Sequence, residues 1–187
     1  MRPALAALAL SLALAGCAAE NHAELAATFD RGVAAYDAGR YDEAYKIWSS
    51  IQDQDVAAMR NVAMMLRKGE GVKKDPKAAE AMYLQAAQAG LPTAQADLAD
   101  MLLKGESGPP DPQAALPLLQ AAARAGHPLA QYQLAQLYET GTAVPKDLVV
   151  ARGLYAAAAD RGVKQARERL AALGAPPGVQ QGVAPSP

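Results

Sequence analysis

The sequence predicts an all-α fold, an α-solenoid in which antiparallel helix pairs stack side by side. Glycine, aspartate and alanine recur at fixed positions every 36 residues, and within each period the apolar residues follow the spacing of one helix face. Alanine also supplies much of the 51% hydrophobic share, while aromatic residues make up only 5%, which suits close helix packing. One such pair cannot bury its apolar faces alone, so each pair must stack on its neighbours.

The chain begins with a predicted signal peptide, residues 1–16. It has one early positive charge and an apolar run, residues 4–15, that is too short to span a bilayer. The run ends in Leu14-Ala15-Gly16-Cys17, which resembles the signal of bacterial lipoproteins. The resemblance implies cleavage before Cys17 and acylation of this cysteine with lipid chains such as palmitate. The alternative is an ordinary signal peptide that is cleaved near Ala15.

The resemblance to lipoproteins also predicts a location. Ala18 follows the cysteine, which favours the outer membrane over the inner one, with the protein facing the periplasm. Residues 17–23 comprise the lipidated cysteine and a short tether, of which residues 18–22 span at most about 17 Å when extended. The folded part is therefore expected to lie close to the membrane. Cys17 is the only cysteine, so no disulfide is expected.

Residues 24–54 are predicted to form the first helix pair. The segment GVAAYDAGRYDEAYKIW (32–48) resembles a tetratricopeptide repeat, since its glycine, tyrosine, alanine and tryptophan residues have that family's spacing. These residues are Gly32, Gly39, Tyr41, Ala44 and Trp48.

Three units of 36 residues follow, at 55–90, 91–126 and 127–162. In each unit a glycine ends the first helix, an aspartate caps the second helix, and another glycine ends it. In chain order these residues are Gly69, Asp75 and Gly90, then Gly105, Asp111 and Gly126, then Gly141, Asp147 and Gly162. The segment LRKGEGVKKDPKAAEAMYLQAAQAG (66–90) resembles the Sel1-like repeat, a relative of the tetratricopeptide repeat. The resemblance implies a right-handed α-solenoid of antiparallel helix pairs.

Two positions depart from the repeat. Pro117 is expected to interrupt the second helix of the third unit, and Ala143 replaces the second loop glycine of the fourth. Residues 163–173 are predicted to be a capping helix with Ala166 on its apolar face. Residues 174–187 contain four prolines and three glycines and are predicted to be a disordered tail.

No motif predicts catalysis or a cofactor. Gly69 and Gly71 in KGEGVKKDPKAAE (68–80) suggest a phosphate loop at first sight, but no strand-like run precedes them, so no nucleotide is expected. Two isolated histidines and one cysteine cannot form a structural metal site. Asp97 and Asp100 could share a helix face, but such pairs are usually solvated, and no enzyme activity is expected. Eighteen basic and nineteen acidic residues argue against a nucleic-acid partner.

By resemblance, the first helices of the units line a concave groove that binds a peptide or a partner helix. Aligning the units predicts ten partner-binding residues. They are Phe29, Tyr36, Arg60, Met64, Arg67, Asp100, Leu103, Tyr132, Gln136 and Glu139. The alternative for Phe29, Met64 and Tyr132 is that they are only core between repeats. Residues 55–90 hold six basic and four acidic side chains, whereas residues 91–126 hold two and four, so charge would orient the partner.

The resemblance therefore implies a non-catalytic adaptor or scaffold, anchored in the bacterial envelope by lipid on Cys17. Its partners would be envelope proteins, and polysaccharide secretion, pilus or cell-wall assembly and host contact all remain open. One alternative is a regulator or inhibitor of a single periplasmic enzyme or sensor. Another is a protein that binds or cleaves cell-wall glycan.

Overall fold

Nine helices make up the described part of the protein, residues 21–174 of a computed structural model, and this range contains no strand. They are α1 (21–37), α2 (Tyr41–Ile51), α3 (Val56–Lys68), α4 (Pro76–Gln88), α5 (Pro92–Lys104), α6 (Pro112–Arg124), α7 (Pro128–Thr140), α8 (Leu148–Asp160) and α9 (Lys164–Ala172). The predicted all-α class is confirmed. The predicted signal peptide, Cys17 and residues 175–187 of the predicted tail lie outside the described residues.

The chain divides into two compact units, Met1–Ala86 and Ala87–Pro187. In the first unit, α2 packs against α3. In the second unit, the helices from α5 to α9 pack in sequence, each against the next. None of the helices described between residues 21 and 174 is both long and apolar enough to cross a membrane.

The loop inside each repeat is closed by its capping aspartate. The backbone amide of this aspartate donates to a carbonyl nine residues earlier, in the last turn of the first helix, and its carboxylate accepts from an amide of the second helix. The first bonds are Asp75 to Leu66 (2.9 Å), Asp111 to Leu102 (2.8 Å) and Asp147 to Tyr138 (2.9 Å). The second are from the amides of Ala78, Ala114 and Val150. The predicted caps are therefore confirmed.

The glycines that suggested a phosphate loop have structural roles. Gly69 ends α3 in a left-handed conformation. Gly71 has a φ of +67°, and a side-chain carbon there would collide with the backbone of Tyr41 and Asp42. The loop thus runs directly against the start of α2, where only glycine fits. Ala143 holds the equivalent position in the last repeat and keeps a left-handed φ of +62° without being glycine.

Replacing Ala143 with glycine is expected to stabilise the protein. An alanine in the left-handed region is strained by about 1 kcal/mol, and the added freedom of glycine in the unfolded chain offsets part of this gain. Urea denaturation should therefore show an increase of about 0.5 kcal/mol in the free energy of unfolding. Ala125→Gly is the matched control, since Ala125 has an ordinary φ of −73° and its replacement should not stabilise. A less stable Ala143→Gly protein would contradict the prediction.

Small side chains line the core of the second unit. Ala99, Ala115 and Ala130 are fully buried around Leu119, which lets α5, α6 and α7 approach closely. A second buried cluster around Tyr155 joins α7, α8 and α9. The alanine-rich composition is therefore used at the contacts between helices.

Pro117 does not interrupt its helix, so that prediction was wrong. It lies inside α6, which is continuous from Pro112 to Arg124. The proline removes a single backbone bond of the helix, and its ring is exposed, so no packing is lost around it. The fully buried Ala115 and Leu119, on either side of the proline, hold this stretch of the helix on the core.

Helix α9 closes the second unit. Ala166 is buried, and Leu170 and Leu173 pack half-buried against the cluster around Tyr155. Arg152 of α8 also donates through Nη2 to the carbonyl of Leu173 at 2.6 Å. These contacts are those expected of a capping helix.

A tryptophan organises the first unit. Trp48 is only 2% exposed, and its ring centroid lies 6.1 Å from that of Phe29 and 5.7 Å from that of Tyr36. Its Nε1 donates to the carbonyl of Phe29 at 3.2 Å. Gly32 lies directly beside the indole, where a side-chain carbon would collide with it. The tetratricopeptide-like spacing of Gly32 and Trp48 thus corresponds to a contact between α1 and α2.

Candidate functional site

A cleft of about 410 Å³ between α5 and α7 gathers three of the ten predicted partner-binding residues, Asp100, Tyr132 and Gln136. We call it the α5–α7 cleft. It is lined by Ala96, Asp97, Asp100, Lys104, Leu129, Tyr132, Gln133 and Gln136. Both helices are the first helix of a repeat, as the sequence alignment of the units assumed.

Helical spacing explains why these side chains converge. On α5, Asp97, Asp100 and Lys104 lie three and four residues apart and so share one face. On α7, the lining residues from Leu129 to Gln136 follow the same spacing. Because α7 repeats α5 after 36 residues, the faces of the two helices correspond.

Asp100 is held from both helices. Lys104 Nζ donates to its Oδ2 at 2.7 Å, and Gln133 Nε2 of the facing helix donates to its Oδ1 at 2.8 Å. The Asp100 side chain is 20% exposed and lines the cleft. Both oxygens are engaged, and the carboxylate is therefore fixed in place before any partner arrives.

The rest of the cleft combines aromatic, amide and apolar groups. Gln136 Nε2 donates to the hydroxyl of Tyr132 at 3.2 Å, and the ring centroid of Tyr132 lies 5.7 Å from that of Tyr155. Leu129 is 54% exposed. The cleft thus places an exposed apolar side chain beside polar groups that are already hydrogen-bonded.

Glu139 belongs to a buried network instead of the cleft. It is 9% exposed and accepts from the hydroxyl of Tyr155 at 2.7 Å and from Arg169 Nε at 2.9 Å. Hydrogen bonds from Arg169 and Tyr155 lower the pKa of Glu139 although burial opposes them. Burial, with the bond to Glu139, raises the pKa of Tyr155. Glu139 thus joins α7, α8 and α9 and has little surface to offer a partner.

Leu103, the equivalent of Glu139 one repeat earlier, also does not line the cleft. It is half-buried and packs against the core around Leu119. The alignment of the units placed both residues on the binding face, whereas the structure places Leu103 half-buried against the core and Glu139 in the buried network. We therefore leave Leu103 and Glu139 out of the α5–α7 cleft.

Phe29 and Tyr36 lie in the aromatic cluster of the first unit, and both are half-buried. The hydroxyl of Tyr36 donates to Glu70 Oε2 at 2.6 Å and accepts from Lys68 Nζ at 2.9 Å. Burial, with the bond to Glu70, raises the pKa of Tyr36. The bond with Tyr36 raises the pKa of Lys68. These contacts tie α1 to the end of α3.

Arg60, Met64 and Arg67 lie on α3, where their spacing of four and three residues places them on one face. All three are half-buried. Arg60 Nη1 donates to Asn61 Oδ1 at 3.2 Å. Their part in binding stays a prediction.

Sequence reasoning missed several residues of the cleft, above all Leu129 and Gln133. Gln133 follows Asp97 by 36 residues, so the repeat itself contained the signal for it. Reasoning from sequence also missed the role of His127, whose Nδ1 accepts from the amide of Ala130 at 3.3 Å and caps α7. Asp55, two repeats earlier, caps α3 in the same way.

The described residues, 21–174, contain no group of three or more histidine, cysteine, aspartate or glutamate side chains placed to hold a metal ion. Asp97 and Asp100, the pair considered for catalysis, both line the cleft. Asp100 is bonded to Lys104 and Gln133, an arrangement suited to recognition through hydrogen bonds.

The tandem helix pairs and the α5–α7 cleft define a helical-repeat protein with a surface suited to protein partners. A family model of the Sel1 repeat matches residues 56–91, 92–127 and 128–163, together more than half of the chain. The chain belongs to the Sel1 repeat family. Proteins with this fold are generally non-catalytic and serve as scaffolds for protein interactions.

Crystal structures of bacterial proteins share the fold. A Sel1 repeat protein from Oxalobacter formigenes is 34% identical, with a TM-score of 0.72 over 76% of this chain and 58% of that one. The protective antigen c5321 of uropathogenic Escherichia coli, which displays an SLR fold, is 26% identical, with a TM-score of 0.74 over 83% and 34%. The immunity protein Pa5087 from Pseudomonas aeruginosa is 24% identical, with a TM-score of 0.57 over 80% and 58%, and shows the fold alone.

The chain thus spans less than two thirds of the length of each of these three proteins. No curated protein matches the sequence.

Proposed function

We propose that this protein is a non-catalytic adaptor, anchored by lipid in the outer membrane, that binds an envelope protein through the α5–α7 cleft. One observation carries the proposal: Asp100 is fixed by donors from two helices beside the exposed Leu129. Fixed polar groups lower the entropy lost on binding, and an exposed leucine supplies apolar area. The general role of the family supports the binding part of the proposal.

A peptide or helix of the partner would cover Leu129 with an apolar side chain. Its hydrogen-bond donors would meet the carboxylates of Asp97 and Asp100, and the amide of Gln136 would bind a carbonyl group. In the first unit, the face of α3 with Arg60, Met64 and Arg67 is proposed as a further contact surface, together with the exposed parts of Phe29 and Tyr36.

The test is capture of crosslinked envelope proteins with the wild type and with a Leu129→Asp variant. A charge at the rim should reduce recovery of the partner about tenfold, which corresponds to about 1.4 kcal/mol of binding free energy. Leu84→Asp is the matched control, because Leu84 is 45% exposed on α4 and does not line the cleft. Circular dichroism should show that both variants keep their helices.

The outcomes of the capture experiment separate the alternatives. Equal recovery with the wild type and Leu129→Asp would exclude the α5–α7 cleft as the binding site. No specific recovery with the wild type would contradict the adaptor itself. A single stoichiometric partner whose activity falls on binding would identify a regulator instead of a scaffold.

The lipid anchor is tested separately, through Cys17. Cells grown with a palmitate analogue should incorporate it into the wild type and not into a Cys17→Ser variant. Fractionation should place the labelled protein in the outer membrane. An unlabelled wild type that is released by osmotic shock would contradict the lipid anchor. It would not affect the proposal that the α5–α7 cleft binds a partner.

A further inference from the structure

Two valines stand exposed at the start of α8. Val149 is 74% exposed and Val150 is 37% exposed. Val150 also borders a groove of about 360 Å³ whose walls include Tyr138 and Leu154. The equivalents of Val149 in the two preceding repeats are Lys77 and Gln113, as expected for exposed helix positions. The last repeat alone carries an apolar residue at this position.

Gly153, in the middle of α8, is also unusual. Glycine destabilises the interior of a helix relative to alanine. A side-chain carbon at Gly153 would meet no atom within 4 Å, so packing within the described residues does not require a glycine. A glycine at an open position on a helix leaves room for another stretch of backbone to approach closely.

The last described residues of the chain, 173 and 174, follow α9 and lie near α8. Arg152 Nη2 donates to the carbonyl of Leu173 at 2.6 Å, so the end of α9 lies within reach of the Arg152 side chain, which precedes Gly153 on α8. At 100° per residue, the order around α8 is Arg152, Val149, Gly153, Val150 and then Leu154. A chain that crosses α8 from Leu173 over Gly153 therefore passes both valines and reaches the groove.

The composition of residues 175–187 suits this path. The segment, APPGVQQGVAPSP, contains four prolines and two valines and carries no charged side chain. Thirteen residues reach about 40 Å when extended, far more than the crossing requires. Proline-rich segments favour an extended conformation that docks on grooves with aromatic walls, as Tyr138 provides here.

We propose that residues 175–187 fold back over Gly153 and cover Val149, Val150 and the groove beside Tyr138. Because the segment and its surface belong to one chain, the effective concentration is high and weak contacts suffice. Two valines and a small groove fall well short of the roughly 800 Å² per partner that a stable complex of two proteins needs. This interaction is independent of the α5–α7 cleft.

The test measures access to position 149 in the full chain. A Val149→Cys variant in a Cys17→Ser background has a single thiol, and its rate of reaction with a maleimide is measured. The rate is compared with that of the same variant carrying a charged tail, in which Val179 and Val183 are both replaced by aspartate. The charged tail should expose the thiol and speed the reaction about threefold or more. Gln113→Cys, at the equivalent position on α6, is the matched control and should react at one rate in both backgrounds.

A second variant tests the crossing point. Gly153→Gln in the full chain should speed the reaction of the thiol at position 149 to the rate seen with the charged tail, and it should add nothing when both changes are combined. Equal rates with the native and the charged tail would overturn the proposal. Protection that survives the charged tail and rises with protein concentration would also overturn it, since a second copy would then be the cover.

Discussion

Replacing Gly32 with alanine is expected to lower the free energy of unfolding by about 2 kcal/mol, although alanine is the better helix former. The added carbon would collide with the indole of Trp48, which is 2% exposed and bonded to the carbonyl of Phe29. The indole must move, and its packing against Phe29 and Tyr36 is lost with it. Trp48 is the only tryptophan. Its fluorescence during urea denaturation therefore measures the loss of stability and also reports on the packing around the indole.

Gly108→Ala is the control for this experiment. Gly108 lies in a loop, and a side-chain carbon there would meet nothing within 4 Å. The same substitution should therefore be neutral or slightly stabilising at Gly108. A Gly32→Ala protein as stable as the wild type would mean that the indole can shift without loss, and that the contact between α1 and α2 is not tightly packed.

Replacing Glu139 with alanine is expected to cost about 2–3 kcal/mol. The substitution leaves the buried hydroxyl of Tyr155 without its acceptor and removes the ion pair with Arg169. Helix α9 should open first, because Arg169 is its charged link to α7, and hydrogen exchange of the α9 amides would measure this. Glu168→Ala removes an exposed glutamate of the same helix and should change little.

The Glu139 network also makes stability depend on pH. In the folded protein the pKa of the Glu139 carboxyl lies below the ordinary value of 4.5. The main cause is the hydrogen bond from Arg169, and Tyr155 and Lys146 also contribute. The Glu139 carboxylate therefore contributes its full stabilisation above the pKa that it has in the unfolded chain. This stabilisation is lost as the pH falls through the lower pKa of the folded protein. The wild type should be more stable than Glu139→Gln at pH 7, and the difference should shrink from about pH 5 downward. A difference that is constant down to pH 3 would contradict the assignment.

The repeat predicted most of the fold because its signals are local. Glycine and aspartate set the ends of the helices through backbone conformation and capping, which depend on a few neighbouring residues. The same register brought Asp100, Tyr132 and Gln136 into one cleft. Pro117 was misjudged because the buried residues around it outweigh the loss of one hydrogen bond in α6.

Other features depend on contacts between helices, which the sequence pattern does not contain. Glu139 occupies the same register as Arg67 and Leu103, and only the positions of Tyr155 and Arg169 make it a buried acceptor. The exposure of Leu129 likewise depends on how α7 packs against α5. Alignment of repeats identifies equivalent positions, but their surroundings differ from one repeat to the next.

The backbone bond that closes each loop forms in all three repeats although the loop sequences differ. It joins the aspartate amide to a carbonyl nine residues earlier, so both of its ends are backbone groups. The loops KGEGVKK (68–74), KGESGPP (104–110) and TGTAVPK (140–146) differ at most positions, yet their closing bonds measure 2.8 to 2.9 Å. At constant length, most loop positions can therefore differ while the helices keep their places. The exceptions are the glycine that ends each first helix and Gly71, where a side chain would collide with the start of α2.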